Sequence, residues 1–146
     1  KIDYSESVDN IIRIIKGTNF DYFSTKAQNQ FLNEKFSVTK LADRMGIRLN
    51  GCKLENIVTT NIKSEGLVRG VIQVPADGDP IIMLSDHGTI GGYPKIGVVI
   101  SADLDRVGQL TPGSTISFKE VSLEEAQNIF KAYIEDTNKY LNENNK

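Results

Sequence analysis

One cysteine, one histidine and no tryptophan stand in 146 residues. The lone thiol, Cys52, excludes an internal disulfide, and with His87 as the only imidazole the zinc patterns built on clustered Cys and His are excluded too. No metal site is expected. Positive charge is not in surplus: Lys plus Arg is 17 against 19 Asp plus Glu, a net charge of -2, so the field that draws nucleic acid or anionic lipid is missing. Neither is expected as a partner. Long apolar runs are missing as well, with nothing near the roughly 20 residues of a membrane span. The first residues, Lys1-Ile2-Asp3-Tyr4-Ser5-Glu6, lack the basic-then-apolar order of an export signal; a cytoplasmic protein is expected. What remains is 39% hydrophobic and 25% charged, the composition of a globular domain, and the length fits one domain over 1–146 with a fraying tail at 142–146.

The chain is punctuated by glycine and proline into short segments. Ile11-Ile12-Arg13-Ile14-Ile15 reads as a strand buried on both faces. Thr25 with Gln28 three residues on marks a helix start, predicting a short helix near 25–33 that carries Phe31 and Leu32. Phe36-Ser37-Val38-Thr39 and Met45-Gly46-Ile47-Arg48-Leu49 alternate with period two. Val71-Ile72-Gln73-Val74 and Ile81-Ile82-Met83-Leu84 flank Asp77-Gly78, a turn dipeptide because Gly accepts positive φ. They read as a hairpin with a long loop. Ile96 to Ile100 and Thr115 to Phe118 complete the strands, and Ser122 with Glu125 opens an amphipathic helix over 122–141. Many short strands with frequent turns make the chain mainly β, a barrel or sandwich.

Polar residues concentrate between Ser64 and Asp103. Asp86-His87-Gly88-Thr89 sets a carboxylate, an imidazole and a hydroxyl where a strand gives way to a Gly-rich loop; this is either an acid-base or anchoring group or a plain capped turn. Gly91-Gly92-Tyr93-Pro94-Lys95 lets backbone approach a ligand, with Tyr93 and Lys95 as polar handles, or simply connects strands; it does not match a phosphate-binding P-loop. Gln73 is a polar residue in an apolar strand and either reads a substrate amide or faces solvent. Arg44 and Arg48, four apart, share a strand face and form either an anion clamp or solvated surface. Cys52 has no neighbouring His in sequence to activate it and reads as an inert thiol.

Longer words carry more: Asp43-Arg44-Met45-Gly46-Ile47-Arg48-Leu49-Asn50-Gly51, Ser64-Glu65-Gly66, Gly70 to Ile81, Gly91 to Ile96, and Ser101-Ala102-Asp103-Leu104. In order and spacing they resemble the biotin-dependent carboxyltransferase family, also called allophanate hydrolase subunit 2. That family includes the C subunit of prokaryotic 5-oxoprolinase, the carboxyltransferase domain of urea carboxylase, and an antagonist of a sporulation-kinase inhibitor. The resemblance implies a cyclophilin-like closed β-barrel corresponding to the C-terminal half of a longer protein. A barrel of that shape does not by itself make an enzyme. The activity implied is that of one component of an ATP-dependent 5-oxoprolinase, opening the lactam to glutamate with partner subunits, the isolated fragment being inactive. The alternatives are carboxyl transfer from carboxybiotin to urea or a related amide, and a regulatory module antagonising a kinase inhibitor. Expected partners are the N-terminal half of the family protein, the other oxoprolinase subunits and a small-molecule substrate. ATP is expected at the level of the complex, and biotin only under the first alternative. By position, the resemblance makes Asp86 and Lys95 catalytic and Gln73, Thr89, Gly92, Tyr93, Arg44 and Arg48 substrate-binding. The family's usual Asp-x-Gln-Thr-Thr-Gly-Gly-Tyr reads Asp86-His87-Gly88-Thr89-Ile90-Gly91-Gly92-Tyr93 here, without the Gln and the second Thr.

Overall fold

The computed structural model describes residues 10–40, 46–58, 69–84 and 92–144. Among these residues seven strands form the scaffold: β1 (Asn10–Lys16), β2 (Phe36–Val38), β3 (Gly46–Asn50), β4 (Val71–Gln73), β5 (Ile81–Met83), β6 (Lys95–Val99) and β7 (Thr115–Glu120). Three helices accompany them: α1 (Thr25–Asn33), α2 (Leu104–Gly108) and α3 (Leu123–Asn144). The strands close into a barrel in the order β1-β6-β4-β5-β3-β2-β7. Closure comes from β1, which pairs antiparallel with β6 on one side and parallel with β7 on the other. A closed barrel has no free edge to template aggregation.

Closure also decides how β1 is buried. A strand in a barrel has one inward face, so Ile12 and Ile14 are fully buried while Ile11 is 43% exposed. The expected two-sided burial of Ile11–Ile15 is therefore corrected to alternation. Inside, α1 places Ala27 and Phe31 in the core. The Phe31 ring packs on Phe118 at 4.7 Å between centroids, and Phe36 on Phe118 at 5.8 Å. Gly97 leaves room for this, because a Cβ there would come within 3.1 Å of the Phe31 ring.

The predicted helix at 25–33 is present with its bounds, but its cap is one residue earlier. Ser24 is extended (φ -60, ψ 156) and its hydroxyl accepts from the Ala27 N–H at 3.0 Å. Gln28, instead of reaching back to a Thr25 cap, donates from its amide to the Phe20 and Phe23 carbonyls at 3.2 Å each. Replacing Ser24 with Ala removes the cap acceptor and is expected to cost about 1 kcal/mol, read as a lowered urea midpoint with an unchanged m-value.

The hairpin β4–β5 forms as expected, with Ile72 opposite Ile82 and Gln73 opposite Ile81. Its loop is turned by Gly78 at φ 84, whose N–H donates to the Pro75 carbonyl. The second helix start is also as read: Ser122 Oγ accepts from the Glu125 N–H at 3.0 Å while Glu125 Oε1 lies 3.4 Å from the Ser122 N–H. The helix then runs to Asn144, beyond the expected end at 141. Its early turns rest on the 3-10 turn Ser101–Asp103, and the Tyr133 hydroxyl donates to Asp105 of α2 at 2.9 Å. That carboxylate partner raises the phenol's pKa.

The turn at Ser101–Asp103 ties the two ends of the fold together. Asp103 is fully buried and takes three hydrogen bonds from Arg13 of β1: the backbone N–H at 2.8 Å, Nε at 3.1 Å and Nη2 at 2.6 Å. Arg106 adds a second cation at 3.7 Å. Burial alone would raise the Asp103 pKa, but the hydrogen bonds from Arg13 and the charges of Arg13 and Arg106 outweigh it and hold the carboxyl below its usual range.

Candidate functional site

Register partners in a sheet share a face. Arg48 of β3 is opposite Ile81 of β5, Ile81 is opposite Gln73 of β4, and Gln73 is opposite Lys95 of β6. These four residues therefore form one row across adjacent strands, on the face turned away from the core that Ile47, Leu49, Ile72, Ile82 and Ile96 fill. At roughly 4.8 Å between strands the row spans about 14 Å. A bulge between Ile72 and Gln73 makes this possible: Ile72 pairs with Gly97 and Gln73 with Lys95, so Ile96 is skipped. Without that extra residue Gln73 would be opposite Ile96, and the polar row would be broken. Three residues singled out separately along the sequence are thus brought together by the ladder.

Within the row the groups differ sharply. Gln73 is 0% exposed although it faces away from the core. Its Nε2 lies 3.6 Å from the Met83 sulfur, a weak acceptor, and its Oε1 has no partner among the described residues. Lys95 is half-buried; its backbone is fixed by exchange with Asn19, whose Oδ1 accepts from the Lys95 N–H and whose own N–H donates to the Lys95 carbonyl, both at 3.0 Å. Arg48 is committed differently: its Nη1 pairs with Asp77 Oδ2 at 2.9 Å, holding the β4–β5 loop against β3. Arg44, Asp86, His87 and Thr89 lie outside the described residues, so neither the two-arginine clamp nor the acid-base loop has a described geometry.

An open cleft of about 700 Å³ begins at Val74 and Pro94, the chain neighbours of Gln73 and Lys95, which do not themselves line it. Its walls are residues 53–56 with Val58, the turn 74–78, and the segment 92–94. Gly92 and Tyr93 line it, Tyr93 being 37% exposed. The walls are joined by hydrogen bonds from the Val74 N–H to the Pro94 carbonyl at 3.0 Å and from the Leu54 N–H to the Gly78 carbonyl at 3.0 Å. Lys53 pairs with Asp79 at 2.7 Å. The wall at 53–58 was not among the expected site residues. Its sequence, Lys53-Leu54-Glu55-Asn56-Ile57-Val58, has mixed polarity and no motif, and only the fold carries it to the 92–94 segment.

The charged side chains on the cleft wall are Lys53, Glu55 and Asp77. Two carboxylates against one lysine already paired with Asp79 do not suit a triphosphate, which needs converging cations and backbone donors. The cleft suits a small polar ligand. Among the described residues no cluster of His, Cys, Asp and Glu could hold a metal ion. Cys52 is a half-buried free thiol whose pKa is raised, first by burial and then by the charge of Glu34. It is disfavoured as a thiolate, in keeping with the inert reading.

The described residues thus form a closed mixed barrel with a polar row and a cleft. The family described as carboxyltransferase domain, subdomain A and B, matches residues 2–120. The chain belongs to this family. It is 38% identical over 117 residues to the C subunit of 5-oxoprolinase from Escherichia coli, covering 80% of this chain and 38% of that protein. It is 36% identical over 138 residues to the C subunit of 5-oxoprolinase from Haemophilus influenzae, covering 92% and 45%. Among solved structures, the urea carboxylase of Kluyveromyces lactis superposes with a TM-score of 0.81 at 29% identity, over 92% of this chain and 13% of that one. The chain spans less than half the length of these curated relatives.

Proposed function

We propose that the chain is part of the C subunit of an ATP-dependent 5-oxoprolinase, and that the row Gln73–Lys95 with the adjoining cleft receives the lactam. The observation that carries this reading is the buried Oε1 of Gln73, which has no hydrogen-bond partner among the described residues. A buried amide oxygen without a partner is rare in native proteins, and a cyclic amide offers the N–H it lacks. In this reading Gln73 Oε1 accepts from the lactam N–H, and Lys95 polarises the lactam carbonyl as negative charge builds on its oxygen. Asp86 and Thr89, which lie outside the described residues, are assigned the proton relay for water addition. Breaking the C–N bond then gives the open-chain amino acid, the nitrogen taking up the proton. Gly92 and Tyr93 form the ligand-facing wall. The mixed charge of the cleft favours a reading in which ATP is bound by the partner subunits. The identities of 36–38% to the C subunits of two 5-oxoprolinases favour this substrate class.

The test is glutamate and ADP formation from 5-oxoproline and ATP by the protein completed with the rest of its family length and its partner subunits. Asp86→Asn is expected to lower the rate by about 10²- to 10⁴-fold with the complex still assembled. No glutamate from an assembled complex containing the unaltered protein overturns the reading.

A second reading is favoured by the TM-score of 0.81 to a urea carboxylase. Carboxyl transfer to urea or a related amide would use the same row to hold the acceptor. No Met-Lys pair occurs in the 146 residues, so biotin would arrive on a carrier outside them. The neutral wall of Leu54, Val74, Pro94 and Tyr93 fits its uncharged ring system, and biotin when bound would supply the carboxyl group. Carboxylation of urea that depends on a biotin carrier, measured in parallel with glutamate formation, separates the two.

A further inference from the structure

Asn19 stands at the head of the 3-10 turn Phe20–Tyr22, yet its side chain makes no capping hydrogen bond to that turn. An asparagine at a helix start ordinarily directs its oxygen onto an N–H of the first turn. Here Oδ1 is directed to β6 and accepts from the Lys95 N–H at 3.0 Å, while the Asn19 N–H donates to the Lys95 carbonyl at 3.0 Å. One residue thus takes both backbone groups of Lys95.

That capture goes with the bulge in the ladder. Alternate residues of a strand turn their backbone groups to the same neighbour. The Val99 N–H reaches the Gly70 carbonyl on the β4 side, so an unbroken ladder would aim Val99, Gly97 and Lys95 all at β4, with Lys95 meeting Val74. Lys95 instead faces the segment that follows β1, on the same side as Ile96, whose carbonyl accepts from the Gly17 N–H at 3.0 Å. Two consecutive residues turned one way make a bulge. It falls where Gln73 skips Ile96 to meet Lys95, and the Val74 N–H goes to the Pro94 carbonyl. Gly17 permits the close approach, because a Cβ there would run into the Lys95 carbonyl oxygen and lie 2.7 Å from the Gly97 nitrogen.

We propose that Asn19 is a positioning residue of the site: by holding the Lys95 backbone on the β1 side it keeps the bulge, and so keeps Lys95 opposite Gln73 and Val74 joined to Pro94 at the head of the cleft. The proposal rests on the reading in which Lys95 polarises the substrate carbonyl. Asn19 then acts through Lys95, on the charge that builds in the transition state and not on substrate capture.

A double-mutant cycle with Lys95 tests this, in the completed protein with its partner subunits and with glutamate formation as the assay. Asn19→Ala is expected to lower kcat about ten- to a hundredfold with KM within about twofold. In a Lys95→Ala background the same change should lower the rate no further, because no amine is left to misplace. Asn19→Asp keeps an acceptor for the Lys95 N–H and should recover most of the rate. Hydrogen exchange on the 146-residue chain reports the contact without activity: the Lys95 amide should exchange at least about tenfold faster in Asn19→Ala than in Asn19→Asp, with the amides of β3 unchanged. Rate losses that multiply across the cycle, an Asn19→Ala complex as fast as the unaltered one, or equal exchange at Lys95 overturn the proposal. So does a glutamate-forming complex indifferent to Lys95→Ala. No glutamate from the unaltered complex overturns the functional reading itself, and this inference with it.

Discussion

Asp103→Ala is expected to cost about 3–5 kcal/mol. The carboxylate is fully buried and receives the Arg13 backbone N–H together with two guanidinium bonds. Truncation leaves a strand N–H without an acceptor and a guanidinium, 32% exposed, without its counter-charge. For a domain whose total stability is about 5–15 kcal/mol, that is a lowering of the unfolding temperature by roughly 10–15 °C. Asp103→Asn keeps the shape and some of the bonds and should cost about half as much. The pH dependence follows from the same contacts. The folded carboxyl titrates below its unfolded value of about 3.9, so its contribution is complete above that value and is lost as pH falls through the lower, folded pKa. Urea unfolding at pH 7, 4 and 3 should show the unaltered protein losing stability across the acid range and Asp103→Asn losing less. Equal acid slopes for the two would mean that Asp103 is not the carboxylate that matters.

This clamp shows where reading the sequence stops. Arg13 and Asp103 are 90 residues apart, and neither has a local pattern that announces a partner. Asp103 was legible only as part of the word Ser101-Ala102-Asp103-Leu104. The same limit applies to barrel closure, since the parallel pairing of β1 with β7 joins Asn10 to Ile116 and no alternation encodes it. Local chemistry was more legible. Asp77-Gly78 announced the β4–β5 loop, and Ser122 with Glu125 announced α3, because both depend on residues within a few positions. The short helix α2 went unseen because five residues with a single buried side chain, Val107, leave no periodicity to detect. At the site, alternation left Gln73 equally suited to reading a substrate amide and to facing solvent. The bulge at Ile72/Gln73 sets it opposite Lys95, and a bulge one residue long has no signature in a strand as apolar as Val71-Ile72-Gln73-Val74.

Gln73→Leu separates a binding amide from a structural one, because the two roles predict opposite signs for stability. A structural amide would have its hydrogen bonds satisfied, and replacing it would cost about 1–3 kcal/mol. Gln73 instead has an unpartnered Oε1 among the described residues and only a sulfur for its Nε2. Leucine fills a similar volume beside Met83 and Val71 without an unmet acceptor, so the unfolding temperature should hold or rise. Activity should move the other way. If the lactam N–H or an equivalent substrate amide is held by Oε1, its loss should lower kcat/KM of the assembled complex by about 10²-fold, the worth of a desolvated hydrogen bond. Gln73→Glu makes a useful contrast: it restores an acceptor but buries a charge with no cation bonded to it, and should lose both stability and activity. A Leu variant that melts several degrees earlier with activity intact would place Gln73 in the scaffold and remove it from the site. A variant equally stable and nearly inactive would be hard to explain by packing, and would tie the polar row of β3, β5, β4 and β6 to the chemistry of an amide substrate.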